Sequence, residues 1–322
     1  MNNRFWIIAT VLLLCFLQSA CAEPWPPNRH VTLRVTAVND FGEPVPDAAV
    51  KFVAIYRFGG EDQVDVWTLK TDENGTAVFR KRTSNNINIG LEKEGYYPVQ
   101  RVKLLDHIMN KPYSREPIEE ELVLPLRKIQ NPIAMNMVDV ATEIGEEGVG
   151  IGFDMLKKDW VEPHGNGRIS DFTVEVIDRE VIDSENMHID ALFTFHGEGN
   201  GLLTAEEYFP ESTFRYSREA PPSNSGYENR FRLRRVIENG VLLDDFPDLE
   251  KIYFLRVRGN PDDINDADSA YYGVLTNRFR VSGYGTPGVR LNFTYYLNPV
   301  AGDRNLEMDL EASSREHLRL FD

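Results

Sequence analysis

Val31, Leu33, Val35 and Ala37 alternate with Thr32, Arg34 and Thr36. Successive side chains of an extended strand point to opposite faces, so this period predicts a strand with one buried side. Short runs of the same kind at 49–56, 64–71, 76–80, 87–93, 97–105 and 120–126 bring the first part of the chain to about seven strands spaced by turn residues. Asp72-Glu73-Asn74-Gly75 is turn chemistry: Asn and Gly tolerate positive φ, and Asp bonds its own backbone two residues on. Beyond residue 133 the pattern stays β, with strands expected at 172–177, 189–195, 231–236, 252–257, 272–281 and 289–297. In the last of these Val289, Leu291, Phe293, Tyr295 and Leu297 share one face. Helical spacing is visible only at 151–160 and 313–320.

Four features of the first part occur together and in order. They are the turn Asp40-Phe41-Gly42-Glu43-Pro44-Val45, the strand entry Ala48-Ala49-Val50, the hairpin Thr71-Asp72-Glu73-Asn74-Gly75, and Lys93-Glu94-Gly95-Tyr96. With them, residues 29–127 resemble the carboxypeptidase regulatory-like domain. That resemblance implies a transthyretin-like (prealbumin-like) β-sandwich. It also implies a non-catalytic module of exported proteins, appended to something else, and it supplies no catalytic residues. The expected organisation is a signal peptide at 1–22, a Pro-rich lead-in at 23–28, the regulatory-like sandwich at 29–127 and a linker at 128–133. A second, larger, jelly-roll-like β domain of unassigned role follows at 134–322. The expected fold class is therefore all-β, with two β-sandwich domains.

The N-terminus adds an address. Phe5 to Leu17 is an almost unbroken apolar run, shorter than the roughly 20 residues a bilayer span needs. Ala20-Cys21-Ala22 fits a small-x-small cleavage site, giving a mature chain that begins at Glu23. The competing pattern Ser19-Ala20-Cys21 resembles a lipoprotein lipobox with Cys21 as the lipidated residue, although Gln18 departs from the usual aliphatic residue there. The protein is expected outside the cytoplasm, periplasmic or extracellular. With Cys21 modified it would be lipid-anchored to the outer surface or outer membrane. Cys15 lies in the apolar run, so the mature chain forms no internal disulfide and must be held by core burial.

The composition, 42% hydrophobic and 11% aromatic, is that of a folded protein. The formal charge is −16, and removing residues 1–22 loses one Arg and no acid, leaving −17. Such a surface repels phosphate backbones and anionic lipid, so nucleic acid is excluded as a partner and membrane contact is expected only through a lipid on Cys21.

Three groups of residues could carry chemistry. Trp160, Glu162, His164 and Asp171 bring an aromatic ring, carboxylates and an imidazole beside Gly165 and Gly167. Such sets bind sugars, the ring stacking and the carboxylates accepting from hydroxyls; the other reading has Trp160 plugging the core. Asp262, Asp263, Asn265, Asp266 and Asp268 make the densest oxygen-rich loop, and calcium takes 6–8 oxygen ligands. The EF-hand template fails there, and the plainer reading is a solvated acidic loop. His188, Asp190 and His196 share a strand face, but His188 and His196 would lie about 26 Å apart on a straight strand, too far for one metal. That face is expected to be solvated. No G-x-S-x-G, H-E-x-x-H or G-x-x-x-x-G-K motif is present.

The leading expectation is an exported non-catalytic binding or structural protein of the cell envelope, recognising an envelope protein or a glycan, with no cofactor. One alternative is a carboxylate-dependent hydrolase of polysaccharide or peptide with its site in 134–322. It asks for two carboxyls about 5–10 Å apart in a cleft, one with a raised pKa. The other is an adhesion module stabilised by calcium.

Overall fold

The computed structural model describes residues 29–58, 61–83, 87–103, 117–145, 147–206, 208–246, 251–259, 269–283, 285, 288–309 and 311–320. The chain is all-β and divides into two compact units, Met1–Ile129 with Pro210–Thr213, and Gln130–Phe209 with Phe214–Asp322.

Among the described residues the smaller unit holds seven strands: β1 (Arg29–Val38), β2 (Ala49–Phe58), β3 (Glu61–Lys70), β4 (Thr76–Thr83), β5 (Ile87–Glu92), β6 (Val99–Lys103) and β7 (Ile118–Pro125). They form a three-stranded sheet, β4-β1-β7, and a four-stranded sheet, β3-β2-β5-β6. β1 runs parallel to β7, with Leu33 opposite Glu120, and antiparallel to β4. The alternating apolar residues Val31, Leu33 and Val35 meet Phe52, Ile89 and Leu91 in one core. Phe52 and Phe79 stack across it at 4.5 Å.

The Asp72 turn joins β3 to β4. Asp72 Oδ1 accepts from the amides of Asn74 and Thr76. Gly75 takes φ +69°, and a Cβ there would stand 2.6 Å from the Ala37 carbonyl oxygen and 2.9 Å from the Val45 amide nitrogen. Gly75→Ala is therefore expected to lower the stability of this unit by about 1–3 kcal/mol. Chemical denaturation followed by the fluorescence of Trp67, which packs on Phe79, reads the change.

The larger unit contains β8 (Asn136–Ile144), β9 (Ile151–Asp154), β10 (Asp159–Trp160), β11 (Phe172–Val181), β12 (Met187–Phe195), β13 (Gly201–Thr204), β14 (Arg230–Glu238), β15 (Val241–Phe246), β16 (Tyr253–Val257), β17 (Tyr271–Ser282), β18 (Val289–Leu297) and β19 (Ser314–Leu320). Two six-stranded sheets result, β10-β9-β11-β12-β14-β15 and β13-β16-β17-β18-β8-β19. Among the described residues five pairs of consecutive strands hydrogen-bond directly, β9/β10, β11/β12, β14/β15, β16/β17 and β17/β18. Phe293 of β18 meets Phe153, Phe172 and Phe193 of the opposite sheet at ring distances of 5.6, 5.9 and 6.3 Å. These contacts make the unit a sandwich with an aromatic centre.

Both stretches with helical spacing are strands. Residues 151–160 form β9, a turn and β10, because Ile151 and Phe153 are buried at the two-residue period of a strand and Phe153 pairs with Trp160. Residues 313–320 contain β19, which pairs in parallel with β8.

The outer face of the second sheet is not bare. Phe254, Tyr272 and Val274 are buried there, and Phe214, Tyr216, Tyr227 and Leu306 of the connections 205–229 and 298–309 are buried as well. Those connections frame the site described next.

Candidate functional site

The residues expected to bind sugar do not converge. Trp160 is 1% exposed and meets Phe153 edge-on at 5.0 Å, so its ring fills the core. Asp171 is 3% exposed. It accepts from the Met155 amide at 2.7 Å and from Arg258 Nε and Nη2 at 2.7 and 3.0 Å. Asp154 completes the cluster: Oδ1 accepts from Arg258 Nη2 at 2.6 Å and from the Lys157 amide, and Oδ2 from the amides of Arg168 and Ile169. Glu162 and His164 are exposed on the turn above. Asp159 folds that turn by accepting from the Trp160 and Asn166 amides, and a Cβ on Gly165 would come 2.4 Å from the Trp160 carbonyl oxygen. The cluster therefore pins a turn to a sheet edge and leaves no ring face for a ligand.

Burial pushes the Asp171 carboxyl above the usual carboxylate range, more than Arg258 and the Met155 amide pull it down. Burial acts upward on Asp154 too, but three backbone amides and the charge of Arg258 together hold it below that range. This is a split carboxyl pair, yet neither member lines either cavity described below.

Asp190 departs from the solvated face expected of its strand. It is 3% exposed because Arg232 of β14 lies over it and bonds both its oxygens. His188 lies 3.3 Å from Asp178, and His196 bonds Thr173. Among the described residues no group of three or more His, Cys, Asp or Glu side chains is placed to hold a metal ion. Asp262, Asp263, Asn265, Asp266 and Asp268 lie outside the described residues, as does Cys21.

Two cavities are described. One, in the smaller unit, is an open depression of about 410 Å³ around Tyr96, with Lys93 placed 5.3 Å from the ring centroid. The other, of about 350 Å³, lies in the larger unit between residues 130–131, 218–219 and 302–307. It is built from polar groups held in fixed positions. Glu307, 1% exposed, accepts from the amides of Gln130 at 2.8 Å and Asn131 at 2.9 Å, and Arg218 Nη1 stands 2.8 Å from the same carboxylate. Arg304 Nη2 donates to Glu219 at 2.7 Å. Backbone bonds from Leu306 to Arg218 and from Ala220 to Arg304 tie the second and third segments together. Asn298 donates to Asp303 and to the Asn305 carbonyl, while Asn305 donates to the Asn131 carbonyl. The cavity thus presents two guanidiniums, three carboxylates and three amides on a braced frame. Its volume falls at the low end of the range of ligand sites, about 300–1,000 Å³. None of these residues stood out in the sequence.

No protein-family model matches this chain. No curated protein matches it either. Solved structures do. A Bacteroides uniformis protein described as carbohydrate-binding is 13% identical, with 83% of this chain and 96% of that one covered and a TM-score of 0.20. The full-length major pilin SpaD of Corynebacterium diphtheriae is 10% identical, with 84% and 67% covered and a TM-score of 0.23. The 3-chlorocatechol 1,2-dioxygenase of Rhodococcus opacus is 13% identical over 32% of this chain and 62% of its own length, with a TM-score of 0.25. Likenesses this distant carry no argument about role, which has to come from the geometry of the chain itself.

Proposed function

We propose that this is an exported, non-catalytic binding protein that recognises a glycan at the polar cavity of its larger unit, with a carboxypeptidase regulatory-like module as its smaller unit. The cavity carries the reading. Hydroxyl groups donate and accept, and the cavity interleaves donors and acceptors within one small volume. Asp154 and Asp171, whose pKa values separate, are bonded into the protein and stand away from the cavity, which favours binding over hydrolysis. The four turn features at 40–45, 48–50, 71–75 and 93–96 support the regulatory-like assignment.

Residues 23–322, purified and screened on a glycan array, are expected to bind at least one glycan class. Arg304→Ala should weaken that binding by about tenfold or more, since a hydrogen bond to a charged group contributes on the order of 1.5–3 kcal/mol. Absence of binding across the array, or binding indifferent to Arg304→Ala, would defeat the proposal. For the address, mass spectrometry of the mature chain should give an N-terminus at Glu23; a diacylated Cys21 would replace simple export by lipid anchoring.

A further inference from the structure

We infer that the glycan taken by the polar cavity is uncharged, bearing neither carboxylate nor sulfate. The inference rests on the reading above that this cavity is the binding site.

Its cations are already matched. Arg218 is held against Glu307, and Arg304 against Glu219. Asp303 adds a third carboxylate, which accepts from Asn298 Nδ2 and from the Asn305 amide. The lining therefore carries two positive and three negative formal charges. An acidic sugar would bring its charge beside the carboxylate that each guanidinium already holds, or draw the guanidinium away from it. Taking Arg218 would leave Glu307 buried without its cation, a costly state for a carboxylate.

The surroundings act in the same direction. Residues 29–129 contain 15 Lys and Arg and 15 Asp and Glu, and are neutral. Residues 130–322 contain 19 and 35, so the formal charge of −16 resides in the part of the chain that forms the cavity. An approaching anion is repelled there. A cationic ligand gains little, because Glu219 and Asp303 are both engaged.

A neutral hydroxylated ligand asks for no exchange of partners. A guanidinium has five N–H groups, and Arg304 commits one of them to a described residue. The side-chain amides of Gln130 and Asn131 add donors and acceptors, and the carboxylates of Glu219 and Asp303 keep lone pairs after their present bonds. Sugar hydroxyls can use all of these while both ion pairs stay intact.

The test is a glycan array carrying neutral, uronate-, sialate- and sulfate-bearing oligosaccharides, followed by calorimetric titration of the strongest binder at low and high salt. The strongest binder should be neutral, with an affinity that changes by less than about twofold between 50 and 300 mM NaCl, as expected where no ion pairs form. Arg304→Gln, which keeps donors and removes the charge, should retain most of the binding that Arg304→Ala loses. A strongest binder that is acidic, steeply salt-dependent and lost equally in both variants would overturn the inference while leaving the cavity as the site. Binding of no glycan, or binding unaffected by either substitution, would overturn the inference together with the reading it rests on.

Discussion

Arg258→Ala is expected to destabilise the larger unit by about 3–5 kcal/mol at neutral pH, the cost of leaving buried carboxylates without their cation. Arg258 serves both Asp154 and Asp171, and both are almost fully buried. Its loss removes the charge that pulls on both carboxyls, most of all on Asp171, while the burial that pushes them up and the backbone amides that bond them remain. The pH dependence then has a definite sign. In the wild type, the contribution of Asp154 is present above its unfolded pKa of 3.8 and is lost as pH falls through its depressed folded value. In the variant Asp171, already raised by burial, loses the arginine that pulls it down; the stability it contributes is present below its unfolded pKa of 3.8 and is lost as pH rises through the raised folded value. The stability gap between the two proteins should therefore narrow from pH 7 to pH 4 in denaturant titrations. A gap that stayed constant would mean the cluster contributes packing rather than charge compensation.

Trp160→Ala should cost a similar amount, about 3–5 kcal/mol, through the cavity it leaves beside Phe153. Trp160→Phe should cost much less, under about 1.5 kcal/mol, because volume is largely kept and an indole N–H without a hydrogen-bond partner is removed. Neither substitution should change glycan affinity in protein that remains folded, since Trp160 does not line the polar cavity. Acrylamide should quench its fluorescence poorly. A folded Trp160→Phe variant that lost its ligand would return this residue to the binding surface.

The elements that the sequence disclosed are those with a buried and a solvated face. β18 runs over 289–297 as its alternation indicates, and the Asp72–Gly75 turn sits where its residues require. β11 was seen only to Ile177 because a register shift between Val176 and Asp178 breaks the alternation there, although the strand continues to Val181. β8 and β13 went unread, although β8 buries Val138, Val140, Thr142 and Ile144 at the two-residue period that Val138, Val140 and Ile144 show in the sequence. β15 could have been found from Asn239-Gly240, a two-residue turn with both residues at positive φ. The helical spacing at 151–160 misled because a four-residue strand and a tight turn mimic one helical repeat.

Side-chain partners were harder to foresee. Asp190 lies on the polar face of its strand, yet is buried by an arginine 42 residues away. The cavity draws on segments separated by up to 177 residues, and no local motif marks Gln130, Arg218 or Arg304. Trp160 resembled a sugar platform because composition does not reveal which way a ring points.

Hydrogen–deuterium exchange on residues 23–322, with and without the strongest-binding saccharide at saturation, addresses the binding site most directly. Slowed exchange at 130–133, 218–220 and 298–309, with the 159–171 turn and the smaller unit unchanged, is the predicted result. Slowing at 159–171 or around Tyr96, with those three segments unaffected, would contradict it.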